Sequence, residues 1–94
     1  MKSYFLENLD YEDAARAALA EALPGQADPW VLFDEQSDAV AYFNLSQSAD
    51  GKTSVQADIS GRHYNEDDAV IHVLEGLKLR LGGTVTDDDD NVVS

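Results

Sequence analysis

Apolar residues recur at three- and four-residue spacing in two stretches of the chain, and at two-residue spacing in the stretch between them. The first helical stretch carries Tyr11, Ala14, Ala15, Ala18, Leu19, Ala22 and Leu23 on one face. Asp10 stands at the N-cap position, Glu12 and Asp13 complement the positive helix end, and Pro24-Gly25 stops the helix. Its alanines favour the helix and keep it thin, so it can lie close to a sheet. The second stretch places Val70, Val73, Leu74, Leu77 and Leu81 on a buried stripe. Asn65 is its expected cap, with Glu66, Asp67 and Asp68 in the first turn. Lys78 and Arg80 lie near its negative end, and Gly82-Gly83 closes it.

The intervening pattern is that of strands. Trp30 to Phe33 reads as a short apolar strand, with Phe33 and Phe43 in the core, and Asp34 to Asp38 as a polar turn. From Ala39 to Ser46, Ala41, Phe43 and Leu45 alternate with Val40, Tyr42 and Asn44. Ala49-Asp50-Gly51-Lys52 marks a hairpin, because Asp-Gly accepts positive φ. Thr53, Val55, Ala57 and Ile59 then alternate with polar residues. The three segments predict an antiparallel meander with one dry face. Ser3–Leu6 and Thr84–Thr86 carry weaker strand signals at the two ends.

The resulting order, (β)αβββα(β), predicts an α+β fold, a two-layer sandwich with two helices on one face of a mostly antiparallel sheet of three to five strands. With both terminal strands counted, the order approaches a split β-α-β arrangement of the ferredoxin-like kind with one additional strand. Without them it is helix, three strands, helix, the order of a double-stranded-RNA-binding domain. Residues 1–86 are expected to form one domain and 87–94 an acidic, mobile C-terminal tail.

Charge changes this picture most. Six Lys and Arg face 19 Asp and Glu, a net charge of −13 on 94 residues. Solubility asks for only about 2–8 net charges on a small domain. Such a field repels phosphate backbones and anionic lipid headgroups, so neither nucleic acid nor membrane is an expected partner. The RNA-binding comparison fails on the same ground. Such domains need cations where this chain has Glu66, Asp67 and Asp68. No apolar run approaches the ~18 residues of a membrane span, and Glu7 and Asn8 break the short apolar start. Cysteine is absent, which excludes disulfides and thiolate chemistry and fits a cytoplasmic protein.

Candidate chemistry is sparse. The histidines, His63 and His72, are nine positions apart and match no metal-binding spacing, so no metal and no cofactor is expected. Asp87 to Asp90 lacks the spaced ligands, turn glycine and closing glutamate of a calcium loop. Arg62, His63 and Tyr64, followed by Asn65, form a corner after the last strand of the meander. With His72, they are the candidates for an enzyme or small-ligand site. The sequence favours a different class, a non-catalytic protein-interaction or oligomeric module. An inhibitor, an immunity-type protein or a nucleic-acid mimic would engage a basic partner through Asp34, Glu35, Asp38, Glu66, Asp67, Asp68 and Tyr42. A homodimer through the exposed sheet face or an edge strand is the other expected association, with Tyr42 as an anchor and Trp30 either a second anchor or fully buried. Acids gathered on one surface favour docking, whereas even coverage favours adaptation to a high-salt habitat.

Overall fold

A computed structural model describes residues 2–23, 30–47, 50–63 and 65–94. Tyr64, the Pro24-Gly25 helix stop and Ala49 of the hairpin signal lie outside the described residues. The elements are β1 (Lys2–Leu9), α1 (Glu12–Ala22), β2 (Trp30–Phe33), β3 (Ala39–Gln47), β4 (Thr53–Ile59), a 3-10 turn (Gly61–His63), α2 (Asp67–Leu81) and β5 (Thr84–Asp87). They form an α+β fold around one five-stranded sheet, with the order β2-β3-β4-β1-β5 and every pairing antiparallel. Both helices pack on the same apolar core. With β2 set aside, the order is that of a split β-α-β sandwich, so β2 is the additional edge strand. The three-strand alternative is overturned, because β1 lies inside the sheet between β4 and β5.

The core comes from the predicted stripes. Ala15, Ala18 and Leu19 of α1, Leu23 at its C-cap, and Val70, Leu74 and Leu77 of α2 close over Leu6, Leu9, Phe43, Val55, Ala57, Ile59 and Val85. Val73 and Leu81 flank this core half-buried. The helix starts differ from expectation by one residue. Tyr11 and Glu66 hold the N-cap positions, and neither makes a side-chain cap bond. Asp10 turns instead to the Lys52 ammonium, and Asn65 is an exposed turn residue.

Two irregularities explain what simple alternation misreads. Asn8 takes a positive φ of 66° in β1, and the β1–β4 register shifts between Leu6 and Leu9. Both leucines therefore face the core, although residues three apart on a regular strand point to opposite sides. On the other side of the sheet, Leu32 pairs with Ala41 but Phe33 with Ala39. The extra residue, Val40, is 2% exposed and joins the core, while Phe33 is 46% exposed. Both positions reverse the expected faces, because a one-residue slip exchanges the sides of a strand. Trp30 is buried in the core, whereas Tyr42 is exposed on the face opposite the helices.

The acidic run after Thr86 does not stand apart from the sheet. Asp87 ends β5, and the chain turns back so that Val93 and Ser94 donate their N–H groups to the Val85 carbonyl, at 2.8 and 3.3 Å. A bridge pairs Thr86 with Val92.

Candidate functional site

The topology brings the acidic segments to one end of the sandwich. Lys2 pairs with Ile59, and Ile59 with Ala41. The start of β1, the end of β4 and the start of β3 therefore lie side by side. Antiparallel pairing adds the end of β5 and the β2–β3 turn, and α2 starts from the same end. Asp34, Glu35, Asp38, Glu66, Asp67, Asp68 and Asp87 to Asp90 are thus gathered there, more than half of the 19 acidic residues. Lys2 and Arg62 accompany them. Three of the remaining cations serve other acids: Arg16 meets Glu12, Lys52 meets Asp10 and Arg80 meets Glu21.

Several of these carboxylates hold the fold. Asp34 Oδ1 accepts the backbone N–H groups of Gln36 and Asp38, each at 2.9 Å, and so shapes the β2–β3 turn. The Asp38 N–H is the main cause holding the Asp34 carboxyl below its ordinary range. Burial opposes it, and Gln36, His63 and Arg62 assist. Asp38 Oδ2 accepts a bond of 3.2 Å from Arg62. Asp67 takes the Tyr4 hydroxyl at 2.5 Å and the Lys2 ammonium at 2.5 Å. Burial alone would raise the Asp67 pKa, but these two donors outweigh it and hold the group below 3.8. Burial, and then the Asp67 carboxylate, push Tyr4 up to about 12. Asp87 accepts the N–H groups of Asn91 and Asp89, each at 2.9 Å, so it pins the C-terminal turn. The Asn91 bond is the leading reason its carboxyl is held low.

His63 joins the same end. Its imidazole is only 13% exposed, and Nδ1 lies 2.6 Å from Glu66 Oε2. Among the described residues, no hydrogen-bond partner reaches the buried Nε2. Carboxylate oxygens of Asp34 and Glu66 and a ring nitrogen of His63 all fall within 4.8 Å of one another. Beside them Phe33, Asp34, Glu35, Gln36 and Glu66 line a shallow depression of about 440 Å³.

Of the residues singled out from the sequence, Asp34, Glu35, Asp38, Arg62, His63, Glu66, Asp67 and Asp68 are brought together. Tyr42 pairs with Asp58 one row in from this end, on the outer sheet face. His72 is not part of the group. It is exposed midway along α2, in an apolar depression of about 590 Å³ with Glu75, Gly76, Lys78, Leu79 and Ser94. Sequence reasoning missed Lys2, Tyr4 and Phe33 as members of this end. The strand register was the signal for all three, since it fixes which ends coincide. Chemically the arrangement offers a negative surface. Among the described residues, no hydrogen bond or ion pair engages the carboxylates of Glu35, Asp68, Asp89 and Asp90, all of them exposed. Compared with protein-family profiles, with curated proteins and with solved structures, the chain matches none.

Proposed function

We propose that the protein is a non-catalytic interaction module whose acidic end docks a basic partner protein, as an inhibitor, an immunity-type protein or a nucleic-acid mimic would. The observation that carries this reading is the gathering of more than half of the 19 acids at one end of the sandwich. Even coverage would serve hydration equally well, whereas a one-sided field steers a cationic surface into a single orientation. Division of labour within the cluster supports the same reading. Asp34, Asp38, Asp67 and Asp87 are spent on turns and ion pairs, and Glu35, Asp68, Asp89 and Asp90 are left to meet a ligand.

The outer sheet face supports a dry dimer less well. Ser3 donates to Asp58 at 2.6 Å and Gln56 donates to the same carboxylate at 2.9 Å, which keeps its centre polar. The enzyme reading draws less from the geometry, since Arg62 is paired with Asp38 and His72 lies apart.

The test is calorimetric titration with a lysine-rich peptide, comparing the wild type with the variant Glu35→Gln/Asp68→Asn/Asp89→Asn/Asp90→Asn. A control variant removes Glu12, Asp13, Glu21 and Glu75 elsewhere on the surface. The proposal expects the first variant to lose most of the affinity and the second to keep it, with binding weakening as salt shortens the Debye length toward ~8 Å. Equal losses in the two variants would leave only net charge and refute the assignment.

A further inference from the structure

We propose that Asp34, His63 and Glu66 form a site for one borderline divalent cation of the zinc class, set within the acidic end. The three side chains come from three separate segments: the β2–β3 turn, the 3-10 turn after β4 and the N-cap of α2. Their donor atoms lie within 4.8 Å of one another, and all three residues are partly buried rather than splayed into solvent. Two carboxylates held this close repel unless a positive charge stands between them. Arg62 and His63 ease that repulsion at Asp34 through space, while the Arg62 guanidinium bonds to Asp38 and the His63 ring lies against Glu66. His63 Nδ1 already lies against Glu66, and among the described residues Nε2 makes no hydrogen bond.

The donor set decides which ion fits. One imidazole and two carboxylates suit a tetrahedral ion with bonds of about 2.0–2.2 Å and one open position. Calcium and magnesium prefer all-oxygen shells, so an imidazole ligand selects against them. In a tetrahedron of such bonds, neighbouring donors stand roughly 3.3 Å apart. His63 Nδ1 and Glu66 Oε2, at 2.6 Å, would separate by less than about 1 Å to admit it. Both sit at the mouth of α2, outside the apolar cluster of the core. The open position would then face the depression lined by Phe33, Asp34, Glu35, Gln36 and Glu66.

The experiment titrates the whole chain with cobalt(II) chloride and zinc chloride, reading cobalt absorption in the visible and heat by calorimetry. Magnesium serves as competitor. The expected result is one ion per chain with the absorption of a four- or five-coordinate cobalt, displaced by zinc and unaffected by excess magnesium. His63→Gln should weaken binding at least tenfold, and Glu66→Gln gives the same readout should the histidine variant fail to fold. His72→Gln and Asp88→Asn/Asp89→Asn should bind as the wild type does. Affinity that magnesium abolishes, or that falls equally in the Asp88→Asn/Asp89→Asn variant, would reduce the site to non-selective attraction by an acidic surface and overturn the proposal. Undiminished binding in both His63→Gln and Glu66→Gln would overturn it as well.

Discussion

The contact of Tyr4 with Asp67 offers a quantitative test of how the acidic end is built. Tyr4 is 8% exposed in the core, and its hydroxyl reaches the Asp67 carboxylate at 2.5 Å, where Lys2 also binds. Asp67→Ala removes a charge-assisted hydrogen bond worth about 1.5–3 kcal/mol and leaves the phenol hydroxyl unpaired. The loss of a first-turn acid on α2 adds ~0.3–1 kcal/mol. The half-exposed pair with Lys2 contributes at most about 1 kcal/mol. The sum places Asp67→Ala near 3 kcal/mol, whereas Asp67→Asn, which keeps an acceptor, should cost about 1 kcal/mol. Tyr4→Phe should cost ~1–1.5 kcal/mol. Urea denaturation of the two single variants and the double variant Tyr4→Phe/Asp67→Ala closes a cycle, with an expected coupling of about 1–2 kcal/mol. Additive losses, with coupling under ~0.5 kcal/mol, would refute the contact.

The pH dependence follows from the same pair. Asp67 is held below 3.8 in the folded chain, so its contribution is present above that value and is lost as acidification protonates it. Tyr4 ionises near 10.0 when unfolded and at about 12 when folded, so stability falls between these values as the unfolded state alone gives up its proton. Tyr4→Phe should flatten that alkaline limb.

Other outcomes follow from single positions. Gly83 has φ +93°, and a Cβ there would stand 2.5 Å from the Glu7 carbonyl oxygen and 2.9 Å from Leu9. Gly82 has φ +79° with nothing within 4 Å. In urea melts Gly82→Ala should cost ~1–2 kcal/mol for conformation alone, and Gly83→Ala about 1–3 kcal/mol more for overpacking. Tyr11 is 74% exposed at the N-cap of α1 in an extended conformation and makes no cap bond. Tyr11→Ser should therefore stabilise the chain by about 0.5–1 kcal/mol, read as a higher urea midpoint. Asp87→Ala should free the C-terminal turn, seen as faster amide exchange at Asp89, Asn91 and Val93 with β4 unchanged.

The helices, the meander and the two-layer arrangement were legible because each buries a stripe of the expected period. Legibility failed where geometry departs from period. A left-handed Asn8 let β1 run to Leu9, beyond the expected end at Leu6. One extra residue in β3 exchanged the faces of Val40 and Phe33. The caps shifted by one residue, with Asp10 lying against Lys52 and Asn65 in an exposed turn. The acidic residues themselves were legible as candidates, one by one. Their convergence was not, since Asp34, His63 and Glu66 meet only through the pairing of β3 with β4 and the turn that follows. Nor could composition separate carboxylates that hold turns from those left to solvent, a distinction that depends on backbone N–H directions.

Whether one end of this molecule docks a basic protein can be read from zero-length carbodiimide crosslinking. The reagent joins carboxylates to lysine amines in contact. The purified chain, incubated with extract of its own cells and crosslinked, is digested and its linked carboxylates are located by mass spectrometry. Docking at this end predicts that links concentrate on Glu35, Asp68, Asp89 and Asp90, join lysines of a basic protein, and vanish from that partner when these four residues are neutralised. Links spread evenly over Glu12, Asp13, Glu21, Glu75 and the acidic end alike, to many proteins, would contradict it.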